Sequence, residues 1–271
     1  MKNLMLKAVF IAISGFASIA GHAQLLPQMV SVTGDTFLMG SESGQDAAPD
    51  GSTHKVVLSG FKIAKTEVTV AQWKHYCAAT ANPMPTETPS WGWIDSHPMV
   101  NISWYDAVAY CEWLSVETGK KYRLPTEAEW EFAAKGGSQT KSYNFSGGKG
   151  MELTGWCSAN SSGSTQPVAA KRPNELGLYD MSGNVYEWCL DKYGNYPGSM
   201  TINPKGPSSG NMRVYRGGSW YSQAMYCDVV TRENNDPKNG YPFVGFRPVE
   251  EEEDTIVQQS QAVAVRPKGT N

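Results

Sequence analysis

Histidine is scarce in this sequence, with four in 271 residues. Past the first twenty-three positions only His54, His75 and His97 remain, too widely spaced for the HExxH pair of a zinc peptidase. There is no CxxC and no zinc-type cysteine spacing. Neither a GxSxG nucleophile elbow nor a phosphate-cradling P-loop is present. No repeat of roughly 20–50 residues is visible, which argues against propellers and solenoids. Charge of one sign is also lacking. The formal net charge is −3, and removal of Lys2 and Lys7 with a leader would lower it by two more. That mild acidity argues against a nucleic-acid or anionic-membrane partner. The apolar run Ala8–Ala20 falls short of the about 20 residues that cross a bilayer.

That run has another use. Lys2 and Lys7 precede it and Gly21-His22-Ala23 follow it, which are the parts of a secretory signal peptide. Residues 1–23 are therefore expected to be a signal, the alternative being an uncleaved membrane anchor, residues 24–249 one domain, and the product periplasmic or secreted, with no transmembrane segment after cleavage. Five cysteines, Cys77, Cys111, Cys157, Cys189 and Cys227, follow the signal, and an odd count leaves at least one unpaired. Nine Trp, thirteen Tyr and 27 Gly with few helical runs describe a loop-rich domain held by aromatic packing.

Local patterns mark the elements. Met29–Met39, with Gly34-Asp35 in its middle, predicts a hairpin, and His54–Ile63 a further strand. Thr69 with Gln72, Ser103 with Asp106 and Thr126 with Glu129 are three capping boxes, each opening a helix. Gly119 stops the second helix and Gly136-Gly137 the third. Trp104, Ala107, Val108, Cys111 and Leu114 repeat at helical spacing, so Cys111 reads as a core thiol. After Ser138 no helix is expected, only short strands such as Val214–Arg216 and Val244–Arg247. The acidic block that starts at Glu250 opens an expected disordered tail over 250–271.

Seven segments in order carry a resemblance: Thr36–Ser41 (TFLMGS), Lys65–Thr69 (KTEVT), Val100–Trp104 (VNISW), Tyr122–Glu131 (YRLPTEAEWE), Gly177–Trp188 (GLYDMSGNVYEW), Arg216–Trp220 (RGGSW) and Gly245–Arg247 (GFR). Together they resemble the formylglycine-generating-enzyme, or sulfatase-modifying factor, family across roughly residues 30–249. The resemblance implies a loop-rich α+β fold related to C-type lectins.

It also implies a chemistry that this chain meets only in part. The best-known enzymes of the family oxidise a substrate cysteine to formylglycine with oxygen and copper(I), which two cysteines just after the Gly-Gly-Ser segment hold. Soft thiolates select that ion. The matching positions here are Ser222 and Cys227, so one ligand position is degenerate and copper is not expected. Cys227 reads either as a residual redox or metal thiol or as a disulfide partner, with Cys189 the named candidate. Ser219 of the Gly-Gly-Ser turn reads as structural or catalytic. Where relatives carry Arg just beyond, this chain has Asp228 and Val229, and Arg232 is the next basic residue. The family's calcium segment maps to Asp180 and Glu187 through side chains and Gly183 and Val185 through carbonyls, a donor set suited to a hard cation. The alternative is a tight turn whose carboxylates cap amides.

Three functions follow. The first is an exported, non-catalytic recognition module for a protein, peptide or glycan, using Tyr221, Tyr226, Tyr241 and Phe243 among Gln223, Asn234, Asn235 and Asn239. The second is a metal-dependent oxidase of a protein cysteine, and the third an envelope assembly component.

Overall fold

In the computed structural model, residues 25–40 and 53–252 are described. The expected signal over 1–23 lies outside them. No helix among the described residues is long and apolar enough to cross a membrane.

The three capping boxes all form. Helix α1 (Val70–Thr80) starts where the Gln72 amide donates to Thr69 Oγ1 at 3.2 Å and the Thr69 amide donates to Gln72 Oε1 at 3.0 Å. The same exchange links Ser103 to Asp106 at the head of α2 (Trp104–Thr118) and Thr126 to Glu129 at the head of α3 (Glu127–Ala134). Each hydroxyl satisfies an amide that the helix leaves without a partner, an effect of about 1 kcal/mol. Gly119 ends α2 in the left-handed region at φ 72°. On α2 the buried stripe is Trp104, Ala107, Tyr110, Cys111 and Leu114. Tyr110 takes the place expected of Val108, which is half-buried.

Three sheets frame these helices. The first has the order β1 (Met29–Val32), β4 (Phe61–Ala64), β11 (Val249–Glu250), β5 (Tyr122–Arg123), antiparallel throughout. The second runs β10 (Val244–Gly245), β6 (Tyr186–Lys192), β8 (Arg213–Arg216), β9 (Arg232–Asn235), with β10 parallel to β6. The third joins β2 (Thr36–Met39), β3 (His54–Val57) and β7 (Thr201–Ile202). One core gathers Trp130, Phe132, Phe61, Ile63 and Val214. A second gathers Trp73, Tyr110, Trp188, Phe246 and Leu114.

Four expectations change. Met29–Met39 is not a hairpin, because β1 pairs with β4 and β2 with β3. The segment at Gly34 is clamped against residues 58–60, and the Leu58 amide donates to Asp35 O at 2.9 Å. His54–Ile63 divides into two strands that enter different sheets. Past Ser138 a short helix, α4 (Met151–Thr154), and a 3-10 turn (Ala224–Cys227) appear. The fold also continues past 249. Glu250 is the last residue of β11 and is buried, accepting from Lys62 Nζ at 2.9 Å, Lys120 Nζ at 3.0 Å and Tyr122 Oη at 2.8 Å. Burial opposes its charge, yet those donors hold its carboxyl below the ordinary glutamate range. The Glu251 amide adds a bond to Lys121 O. The start of the acidic block thus belongs to an interior strand, and residues 253–271 lie outside the described part.

Candidate functional site

Many charged residues of the seven segments quoted above are buried. Several of them, joined by Arg232, meet inside the domain as three buried carboxylate–guanidinium pairs. Arg216, at the end of β8, bonds Glu131 of α3 and also donates to the carbonyls of Val230 at 2.7 Å and Thr231 at 2.9 Å. Arg232 of β9 grips Glu127 at 2.8 and 2.7 Å. Arg247 donates through Nε and Nη2 to the two oxygens of Glu187, both at 2.7 Å, and Trp130 Nε1 adds a third bond of 2.7 Å to Glu187 Oε2. Arg216, Arg247, Glu131 and Glu187 are all fully buried. Distant segments of the chain are thereby fastened to one another, because an unpaired charge in such a place would be strongly destabilising. Arg232 is held by Glu127 and, with Asp191 and Tyr196, lines a cavity there.

From Arg216 the chain turns through Gly217 at φ 98° and Gly218 at φ 75°. A Cβ on Gly218 would stand 2.4 Å from Cys227 Sγ, so this position must lack a side chain. Past the turn, Ser219 is buried and engaged on several sides. Its amide donates to Ser222 Oγ at 3.1 Å, its hydroxyl lies 3.0 Å from Ser222 Oγ, and it accepts from the Tyr221 amide at 3.3 Å. The Ser222 carbonyl accepts from the Ser158 amide at 2.9 Å, and Ser161 Oγ donates to Trp220 O at 2.8 Å. Ser219 and Ser222 are therefore brought together as a hydrogen-bonded pair.

Cys227 closes the 3-10 turn and is fully buried. Burial pushes its thiol up to about 12, so it is protonated at neutral pH and lacks the thiolate that nucleophilic or redox work needs. All five cysteines are free thiols. The expected bridge to Cys189 is not present. Cys189 packs in the Trp130 core, whereas Cys227 packs in a separate cluster with Met151 and Cys157.

The aromatic surface expected over 219–243 divides. Tyr221 is 71% exposed, and Met225 and Tyr226 are also exposed. Tyr241 and Phe243 instead pack against the Trp188 core, and Tyr241 Oη donates to Asn235 Oδ1 at 2.7 Å. The surface gains a residue that sequence reasoning missed. Trp91 meets Trp220 edge to face, with ring centroids 5.1 Å apart, and Trp220 meets Tyr221 at 5.5 Å. Nothing in the pattern around Trp91 signals that contact, which depends on a loop crossing well over a hundred residues away in sequence.

Asp180 of the calcium segment and its neighbour Glu67 form one pair of incompletely satisfied carboxylates. Asp180 sits at φ 59° and is buried; its Oδ2 accepts from the Ala169 amide at 2.7 Å, and its Oδ1 is buried without a partner. Burial pushes this carboxyl up to about 6. Glu67, also fully buried, has an unpartnered Oε1, while its Oε2 has only a 3.5 Å bond from Asn184 Nδ2. Burial and then the neighbouring Asp180 raise Glu67 well above the ordinary glutamate value. Glu187 differs, since Arg247 and Trp130 already occupy both of its oxygens. No group of three or more His, Cys, Asp or Glu side chains converges in metal-binding fashion among the described residues. A cation here would need backbone carbonyls as well.

Residues 16–252 match the family model for the sulfatase-modifying factor enzyme 1-like domain. The formylglycine-generating enzyme of Streptomyces coelicolor is 33% identical, over 80% of this chain and 87% of its own length. Among solved structures, PvdO from Pseudomonas aeruginosa is similar at a TM-score of 0.74 and 28% identity, covering 84% of this chain and 96% of its own. Treponema denticola variable protein 1 is similar at a TM-score of 0.72 and 29% identity, covering 83% and 95%.

Proposed function

The chain belongs to the sulfatase-modifying factor family, with that family's α+β fold, and we propose that it serves there as an exported recognition module and not as a copper-dependent oxidase. The state of the two former copper positions carries this reading. The Ser222 hydroxyl is a hard donor already bonded to Ser219, and Cys227 is a sealed, protonated thiol. Copper(I) selects soft sulfur, so this donor set does not fit it. What the same turn does offer to solvent is an aromatic edge of Trp220, Tyr221, Met225 and Tyr226 backed by Trp91. Rigid Tyr and Trp side chains supply contact area at low entropic cost. That chemistry suits an extended peptide or a glycan face, and the residues before Gln24 supply the export.

Copper(I) titration of the reduced protein, beside the Ser222→Cys variant, tests the first half of the proposal. Tight one-to-one binding is expected only of the variant. Tight binding by the natural chain that disappears in Cys227→Ala would overturn the reading and restore the oxidase. For the second half, peptide and glycan arrays should give ligands whose binding falls at least tenfold in Tyr221→Ala. Arrays on which the two proteins behave alike would count against this edge as the recognition surface.

A structural calcium ion belongs to the same proposal. The buried, unpartnered oxygens of Asp180 and Glu67 suit a hard cation, with the carbonyls of Gly183 and Val185 completing the set. Glu187 would contribute only by releasing Arg247. Such an ion would neutralise the two carboxylates and tie the Asp180–Val185 turn to the β4–α1 connection that carries Glu67. Without it, Asp180 binds a proton more tightly folded than unfolded, so its contribution to stability is lost as pH rises through about 6. Calcium at about 100 times its dissociation constant would add about 2.7 kcal/mol, or roughly 5–10 °C in melting temperature for a domain of this size. The rise should be larger at pH 7.5 than at pH 5, where a proton competes, and absent in Asp180→Asn. An equal rise in that variant would remove the site.

A further inference from the structure

Cys157 and Cys227 are 1% and 0% exposed, and they share a small buried cluster with Met151, against which Phe145 and Ala224 pack. The other three thiols lie elsewhere. Cys189 is in the Trp130 core, Cys111 is in the Trp73 core, and Cys77 is packed at that second core's edge, where it contacts Met84. Both members of the small cluster are held in place. The Cys157 amide donates to Asn160 Oδ1 at 2.8 Å, and the Cys157 carbonyl accepts from the Ser161 amide at 2.9 Å. Cys227 Sγ is confined by Gly218, which leaves no space for even a methyl group. Two cross-links already fasten the segments that carry them: Ser158 to Ser222, and Ser161 to Trp220. A charge on Cys157 would raise the Cys227 thiol further, which shows the two sulfurs to be electrostatic neighbours.

We propose that Cys157 and Cys227 are the two halves of a disulfide that staples the Gly155–Ser161 loop to the surface turn Ser219–Cys227, with the free thiols seen here as its reduced form. The oxidant is a protein or low-molecular-weight disulfide. One cysteine, as thiolate, attacks a sulfur of that disulfide and expels its first thiolate, giving a mixed disulfide. The second cysteine then attacks the mixed bond and expels the other half. Two cysteine thiols are oxidised, one external disulfide is reduced to two thiols, and the protons pass from the former to the latter. The folded thiols are closed to solvent, so exchange belongs to the folding chain and the finished bond is shielded from reductants. This inference does not depend on the recognition reading, and an oxidase or an assembly component could carry the same staple.

The test is refolding of the full chain, reduced and denatured, in a mixture of reduced and oxidised glutathione. The product is denatured, alkylated and mapped by mass spectrometry without reduction. Three alkylated cysteines and one linked peptide pair containing Cys157 and Cys227 are expected. Cys157→Ala should refold with four free thiols and no linked pair. The natural chain should also resist proteolysis within residues 219–227 at least several-fold better when oxidised than when reduced, a difference that Cys157→Ala abolishes. Five free thiols in a sample that has regained its folded spectrum would overturn the proposal. So would a bridge from Cys227 to any other cysteine.

Discussion

Replacing Arg247 with leucine is expected to cost about 3–5 kcal/mol of folding stability, the penalty for removing one partner of a buried ion pair. The side chain is fully buried and makes four strong contacts: two to Glu187, one to Ala64 O at 3.0 Å and one to Tyr179 O at 2.8 Å. Without it Glu187 keeps a charge in the interior with only Trp130 to answer it, and two carbonyls lose their donor. Urea unfolding of the natural and variant chains measures the cost, and the melting temperature should fall by roughly 10 °C or more. Pairing the change with Glu187→Leu should recover part of the loss, since an apolar pair of similar volume can replace a buried salt bridge. The same measurement decides the calcium role of Glu187. If calcium shrinks the cost of Arg247→Leu relative to a chelated sample, the freed carboxylate is taking the ion. An equal cost in both leaves Glu187 a purely structural partner. A cost under about 1 kcal/mol would mean that this pair does not hold the segments together.

That interlocking explains how far the fold could be read from residues alone. The capping boxes were legible because each is a local exchange between residues three apart, and all three formed as written. The Gly119 stop is equally local. What the sequence hid is long-range. The segment Met29–Met39 has the composition of a hairpin, but its two strands find better partners at 54–57 and 61–64, and no nearest-neighbour rule reports that choice. Strand β6 has no polar–apolar alternation, because six of its residues from Tyr186 to Asp191 are buried or nearly so on both faces. Its Glu187 and Asp191 look like surface residues until Arg247 and the Glu127 amide are seen opposite them. Glu250 was misread for the same reason: an acidic run reads as solvated until Lys62 and Lys120 are placed beside it. At the site, the serine at 222 was visible as a chemical change, but its bond to Ser219 was not. The nearness of Cys157 to Cys227 has no local signal either, since the two are brought together only by the crossing of two loops.

That crossing sets the other large effect, expected of Gly183→Ala. Gly183 has φ 85°, and a Cβ built on it would stand 2.1 Å from Trp156 O and 2.9 Å from Trp156 N. The contact is reciprocal, for a Cβ on Gly155 would stand 1.7 Å from Ser182 O. Two backbones therefore touch with no side chain between them, and the Asn184 amide fastens them through Trp156 O at 2.8 Å. Alanine would add the left-handed strain of an L residue, about 1–2 kcal/mol, to an overpacking cost of about 1–3 kcal/mol. Because the obstruction is backbone, no rotamer change relieves it, and a total of about 2–5 kcal/mol is expected in urea unfolding. Gly163→Ala is the control. Gly163 also has positive φ, 77°, but a Cβ there meets nothing within 4 Å, so it should suffer the strain alone. The difference between the two variants isolates the crossing. It should appear in the surface turn as well, because the Asn184 carbonyl accepts from the Trp220 amide at 2.7 Å and the Gly217 carbonyl from the Gly183 amide at 2.7 Å. Prising the crossing apart thus moves Ser219, Trp220 and the two cysteines together. Equal costs for the two variants would mean that the crossing is slack and that the turn takes its shape from elsewhere.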